Sequence, residues 1–218
     1  MKISNDTLTI LKNCASINQS LFFREGSKIT TITEGKSVYL NADVAEKFPR
    51  DFAIYELSDL IQILSLDPEQ EVDFKDTYLT VSSNGGKFKY FYSSVDLVPA
   101  PSKTPPAEGF YSFNLSSKDI STILSASKIV AGTTISIVSK DGKVKLVVSD
   151  PKNPSGNSYS KNLPECDRDF DIQLSLDNFK VISADYDVHI NEKKFIYMKH
   201  TSKELGYWFA VSPDSTIG

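Results

Sequence analysis

Apolar residues recur at helical spacing in four short stretches of the chain, each led by a serine. In the first, Leu8, Leu11 and Ala15 with Ile10, Cys14 and Ile17 form a wide apolar face, and Thr9, Lys12, Asn13 and Ser16 lie opposite. In the third, Ile120, Ile123 and Leu124 turn inward, while Lys118, Ser121, Ser125 and Lys128 form a polar stripe at i, i+3, i+7 and i+10. The string Thr9-Ile10-Leu11-Lys12 returns as Thr122-Ile123-Leu124-Ser125, and more faintly as Gln62-Ile63-Leu64-Ser65 and Lys180-Val181-Ile182-Ser183. Ser4, Ser58, Ser116 and Ser175 are placed to cap these helices, because a serine oxygen accepts from a free amide of the first turn. Each predicted helix is short, roughly 8–14 residues. The units repeat every 53–60 residues or so, as a duplicated domain that is itself internally duplicated would.

Between the helices the period falls to two. Strand-like runs precede the last three helices at Phe52 to Leu57, Phe110 to Leu115 and Phe170 to Leu174. Hairpins are expected where Thr77 to Ser83 turns through Asn84-Gly85-Gly86 into Lys87 to Ser93, and where Thr134 to Ser139 returns as Val144 to Ser149 through Asp141-Gly142. A third joins Tyr186 to Ile190 with Lys194 to His200, and a last strand runs from Tyr207 to Ser212. Antiparallel sheet with helices gathered on one face, an α+β fold, fits this order best.

The segment from Val95 to Gly109 holds four of the ten prolines and suits neither a helix nor a central strand. Read as an extended connector, it separates a first domain, residues 1–94, from a second, residues 110–218, across a linker at 95–109.

Composition narrows the picture further. A hydrophobic fraction of 40% is enough for packed cores in 218 residues. No apolar run reaches the roughly 18–20 residues that cross a bilayer, and the first residues lack the apolar core of a signal peptide, so a cytosolic protein is expected. Cys14 and Cys166 then read as free thiols, and the sequons at Asn5, Asn18 and Asn114 carry no weight. A net charge of −4 argues against a generic nucleic-acid binder, but not against one whose cations are gathered on one surface.

The helical polar faces are such a surface. They are rich in serine and threonine and carry lysines with few carboxylates, and lysine holds a phosphate without reading a base edge. Each face taken alone also fits an ordinary solvated helix. The second helix departs from the pattern, since Glu56, Asp59 and Asp67 make its ends acidic.

Met1-Lys2-Ile3-Ser4-Asn5-Asp6-Thr7, Ile10 to Asn13, Ile17-Asn18, Ala53 to Leu57, Ile63 to Leu66 and Asp214-Ser215-Thr216 closely resemble the sliding clamps of T-even-type bacteriophages. The identical letters cluster in the first 66 residues; beyond them the likeness is one of pattern. The resemblance implies duplicated DNA-clamp domains, sheets outside and four short helices inside, closing as a homotrimeric ring around double-stranded DNA. It implies Lys12, Lys118, Lys128 and Lys180 facing the duplex. A hydrophobic pocket for partner tails would draw on Val95, Leu97, Val98 and Pro99 of the linker, and on Trp208, Phe209, Val211 and Pro213 of the last strand. Subunits would meet through Phe88, Tyr90 and Tyr92 on one side and Tyr159, Lys161 and Leu163 on the other. The replicative polymerase and a clamp loader are the implied partners, and the cytoplasm of the infected bacterial host the implied place.

Nothing in the sequence suggests an enzyme. It has no glycine-rich phosphate loop, nucleophile elbow or Cys-x-x-Cys pair. His189 and His200 lack an i, i+4 partner for a metal, and the alternating aspartates at 167, 169 and 171 and at 185 and 187 lack the spacing of a calcium loop. No metal and no cofactor is expected. The competing reading is a ring-forming structural phage protein of the tail or capsid.

Overall fold

A computed structural model describes residues 1–83, 85–101 and 103–218; Asn84 of the predicted turn and Ser102 of the predicted linker lie outside them. The chain divides into two compact units, Met1–Thr104 and Pro105–Gly218.

Each unit holds two copies of one motif, a helix or helical turn followed by strands, in most copies with a strand ahead of it. The first copy comprises α1 (Asn5–Ile17), β1 (Leu21–Phe23), β2 (Gly26–Ile32) and β3 (Val38–Phe48). The second comprises β4 (Phe52–Ile54), α2 (Leu57–Leu64), β5 (Glu71–Phe74), β6 (Tyr78–Ser83) and β7 (Gly86–Phe91). The third is β8 (Tyr111–Leu115), α3 (Ser117–Ile129), β9 (Thr134–Lys140), β10 (Lys143–Ser149) and β11 (Tyr159–Leu163). The fourth is β12 (Phe170–Ser175), a 3-10 turn at Leu176–Asn178, β13 (Tyr186–Asn191), β14 (Phe195–His200), β15 (Leu205–Ala210) and the short β16 (Thr216–Ile217).

All pairings are antiparallel, and within the second unit the copies exchange their leading strands. β8 joins β13 and β12 joins β9, giving the orders β8-β13-β14-β15 and β11-β10-β9-β12-β16. The first unit does the same in shorter form. β4 pairs with β1, and Met1 exchanges two backbone hydrogen bonds with Val72 of β5, at 2.8 and 2.7 Å. Exchange of this kind ties the copies into one core per unit. In the first unit Phe23 stacks on Phe52 at 4.5 Å, with Phe48 and Phe74 edge-on or tilted around them. In the second, Tyr186, Tyr207 and Phe209 are fully buried.

The β9–β10 hairpin forms as expected: Lys140 pairs with Lys143, and Asp141 and Gly142 take φ of 51° and 80°, the primed turn that matches strand twist.

Two expectations need correction. The fourth helix is only a three-residue 3-10 turn, and residues 179–185 are irregular. The cause is not local. The Tyr186 hydroxyl donates to the Ile182 carbonyl at 2.6 Å, and the Ile182 amide donates to the Tyr207 hydroxyl at 3.2 Å. Two core tyrosines thus satisfy the backbone that a helical turn would otherwise satisfy. Second, Ser58 is not a cap: α2 begins at Leu57, whose amide donates to the Gln19 carbonyl at 2.8 Å, and Glu56 holds the cap position without a side-chain bond.

Candidate nucleic-acid interface

The helices are fixed at their N-termini, and this sets where their polar faces point. Ser4 caps α1, its hydroxyl accepting from the Thr7 amide at 3.3 Å. The buried Glu46 on β3 reinforces that cap, accepting from the Ser4 amide at 2.5 Å and from the Thr7 hydroxyl. Burial opposes the charge on Glu46, but the hydrogen bonds from Thr7 and Ser4 outweigh it and hold the carboxyl below its ordinary range. Ser116 and Asp119 form a reciprocal capping box at the start of α3. Asp119 also pairs with Lys161 of β11. Burial again opposes ionisation there, and the bonds from Lys161 and Ser116 lower the pKa.

So anchored, α1 exposes Asn5, Thr9, Lys12 and Ser16, while Leu8, Ile10, Leu11, Cys14 and Ile17 are buried. α3 exposes Lys118, Ser121, Ser125 and Lys128, the stripe read from the sequence, and buries Ile120, Ile123 and Ala126. Leu124, expected to turn inward, is 36% exposed at the edge of that stripe. α2 exposes Ser58, Asp59, Gln62 and Ser65 and carries no lysine or arginine. Lys180 is exposed on the irregular segment that stands in place of the fourth helix.

Two sheet edges resemble each other. β7 ends the β5-β6-β7 sheet and β11 ends its own, each pairing on one side only among the described residues. Phe88, Tyr90 and Tyr92 alternate onto one face of the β7 segment. Phe88 is 41% exposed, the Tyr90 hydroxyl donates to the Glu56 carbonyl at 2.9 Å, and Tyr92 stacks on Phe52 at 4.9 Å. Tyr159, Lys161 and Leu163 likewise share one face of β11, and all three are half-buried. Each edge strand therefore reaches the N-terminal end of a helix, β7 at Glu56 before α2 and β11 at Asp119 of α3.

The residues expected at a peptide pocket fall into two groups. In the first unit Val95 and Leu97 are 50% and 64% exposed, Pro99 is exposed, and Val98 is buried. In the second unit Phe209 is a core residue and Trp208 is nearly covered. The Trp208 ring stacks on Tyr197 at 4.4 Å, and its indole N–H donates to the Pro106 carbonyl at 2.9 Å. Val211 is half-buried and Pro213 exposed.

Among the described residues no group of three or more His, Cys, Asp or Glu is placed to hold a metal. Cys14 is fully buried, which pushes its thiol up to about 12 and makes it inert. The sequence reading did not find Glu46 or the Asp119–Lys161 pair. Ser116-x-x-Asp119 is legible as a capping box, but contacts across 42 residues leave no local signal.

Four repeats of a helix or helical turn with strands, packed into antiparallel sheets, define the DNA-clamp fold. The chain superposes on A. fulgidus PCNA, in a structure where that clamp is bound to the C-terminal region of FEN-1, with a TM-score of 0.73 at 12% identity over 96% of both chains. A family model described as DNA polymerase processivity factor matches residues 4–95. The sliding clamp of Vibrio phage KVP40 is 28% identical over 200 residues, covering 88% of this chain and 90% of that one. The sliding clamp of Escherichia phage RB69 is 26% identical with 99% of both chains covered. Along its length the chain is similar to the sliding clamps of T-even-type bacteriophages, and its first half matches the DNA polymerase processivity factor family.

Proposed function

We propose that three copies of this chain close head to tail into a ring around double-stranded DNA, and that the ring tethers the replicative polymerase to its template. The observation that carries the ring is the pair of unmatched sheet edges, β7 in one unit and β11 in the other. An exposed strand edge seeks a partner. Two different edges on one chain make a heterologous contact, which forms a ring when the rotation closes. Phe88, Tyr90 and Tyr92 of one copy would then face Tyr159, Lys161 and Leu163 of the next.

Retention on DNA is topological and needs no cofactor. Lys12, Lys118, Lys128 and Lys180 face the duplex and meet phosphates, whatever the sequence. A closed ring must be opened to admit DNA, which is the task of a clamp loader. The exposed Val95, Leu97 and Pro99, and the residues after β15 including Val211 and Pro213, take apolar tails of the polymerase and other partners. Trp208 and Phe209 lie in the packed interior of the second unit. The setting is the cytoplasm of the infected bacterial host.

Sedimentation at several protein concentrations, paired with loader-dependent primer extension, tests this reading. A species near three times the chain mass that raises the length of extension products supports it. A monomer at every concentration, with no effect on extension, would favour a structural role in the particle instead.

A further inference from the structure

α1 and α3 are each 13 residues long and both begin one residue after a capping serine, so they can be compared position by position. Lys118 and Lys128 of α3 stand where α1 has Asp6 and Ser16, and where α1 has Lys12, α3 has Leu124. The fold repeats the helix and the sequence moves its charge. α1 holds one acid and one lysine. α3 holds two exposed lysines that make no ion pair among the described residues, and its one acid is already paired to Lys161. α2 adds only Asp59.

The hydroxyls alter the picture again. Thr9 donates to the Asn5 carbonyl at 2.8 Å and Ser16 to Asn13 at 2.7 Å. On α3, Ser121 donates to Ser117 at 2.9 Å and Thr122 to Lys118 at 2.8 Å. A hydroxyl has one proton to give. Bonded back to its own helix, it turns lone pairs outward, and lone pairs do not attract phosphate oxygens. These residues therefore keep the surface small and polar without making it adhesive.

We propose that phosphate contact in this clamp is concentrated on α3, through Lys118 and Lys128, while α1, with Lys12 alone on a face of back-bonded hydroxyls, contributes less and the acidic face of α2 adds none. The inference rests on the ring reading and deepens it. It makes DNA contact uneven around the hole, with one gripping helix per chain. Asp59 is then a specificity element that limits adhesion, its charge acting within a screening length of about 8 Å at physiological salt.

The test uses the full-length ring and a short fluorescent duplex with free ends, over which a ring can thread. Anisotropy is followed as salt is raised. Lys118→Ala or Lys128→Ala should weaken binding several-fold and reduce the salt slope by about 1 to 3, one phosphate for each copy in the ring. Lys12→Ala should cost clearly less than either α3 lysine, Ser121→Ala should leave both unchanged, and Asp59→Asn should tighten binding. Equal losses from Lys12→Ala and Lys118→Ala, or a loss from Ser121→Ala as large as either α3 lysine, overturn the inference while leaving the clamp reading intact. A trimer of unsubstituted chain that binds no duplex overturns both. Sedimentation of each variant separates a loss of grip from a loss of ring.

Discussion

Ile17 and Ile129 close their helices at equivalent positions, yet Ile17 is 7% exposed and Ile129 is 81% exposed. α1 packs against α2, whereas α3 rests on β8, β10 and β11 and has only a 3-10 turn where a companion helix would lie. Replacing each isoleucine with alanine measures that difference. Ile17→Ala removes a covered side chain and should cost about 2–4 kcal/mol, since buried Ile or Leu to Ala changes typically fall there. The better helix propensity of alanine, worth about 0.4 kcal/mol, offsets little of it. Ile129→Ala surrenders almost no buried area, so that gain in propensity is what remains and the net effect should stay within about 0.5 kcal/mol. Urea unfolding at one fixed protein concentration reads both, because assembly adds to apparent stability by mass action. A cost above about 1.5 kcal/mol for Ile129→Ala would refute the reasoning, for it would mean that α3 is braced on that flank in solution. If the cost grew with protein concentration, the brace would be a neighbouring copy.

Further outcomes follow from the caps, the edges and the single tryptophan. Glu46→Gln should cost about 1–2 kcal/mol at neutral pH, the worth of hydrogen bonds to a charged group. Because the Glu46 pKa is lowered, its contribution is complete above the ordinary 4.5 and is lost as pH falls through the depressed value, so the two urea curves should converge in acid; a gap independent of pH contradicts the charged cap. Phe88→Asp and Leu163→Asp should each shift sedimentation toward monomer by at least tenfold in concentration without changing the far-ultraviolet spectrum, and an unaltered trimer would remove these residues from the interface. Trp208 should emit as a buried indole and resist acrylamide until the backbone at Pro106 is displaced; strong quenching of the free protein would show that the ring stack on Tyr197 is open.

What was legible in the sequence was whatever neighbours decide. A serine one residue ahead of an amphipathic string gave α1 and α3, and Asp141-Gly142 gave a hairpin, because caps and tight turns are satisfied within a few residues. Lys180-Val181-Ile182-Ser183 carries the same string and forms no helix. Its backbone partners are Tyr186 and Tyr207, and the latter lies 25 residues away on another strand. The edges were harder still. Tyr159 to Leu163 reads as a strand, but that β11 pairs on one side only depends on the order of five strands. Lys161 shows the cost of ignoring such contacts, since a residue chosen for its place on an edge strand is committed to Asp119 inside its own unit.

Duplication supplied one helix twice, and the two copies divide the work. α1 gives its flank to α2, with Ile10 and Ile17 both buried, and its exposed face ends up nearly neutral. In α3 the place of Ile10 is taken by Thr122 and Ile129 is open, so burial on that flank is given up, and the cations gather on the exposed face beside it. A helix open on that flank draws nothing from packing there. Its stability has to come from its first turn and its floor, and in α3 both are present: the Ser116–Asp119 box, the Lys161 pair and the buried line of Ile120, Ile123 and Ala126. The same ion pair fastens the α3 N-terminus to β11, the strand at the expected joint between copies.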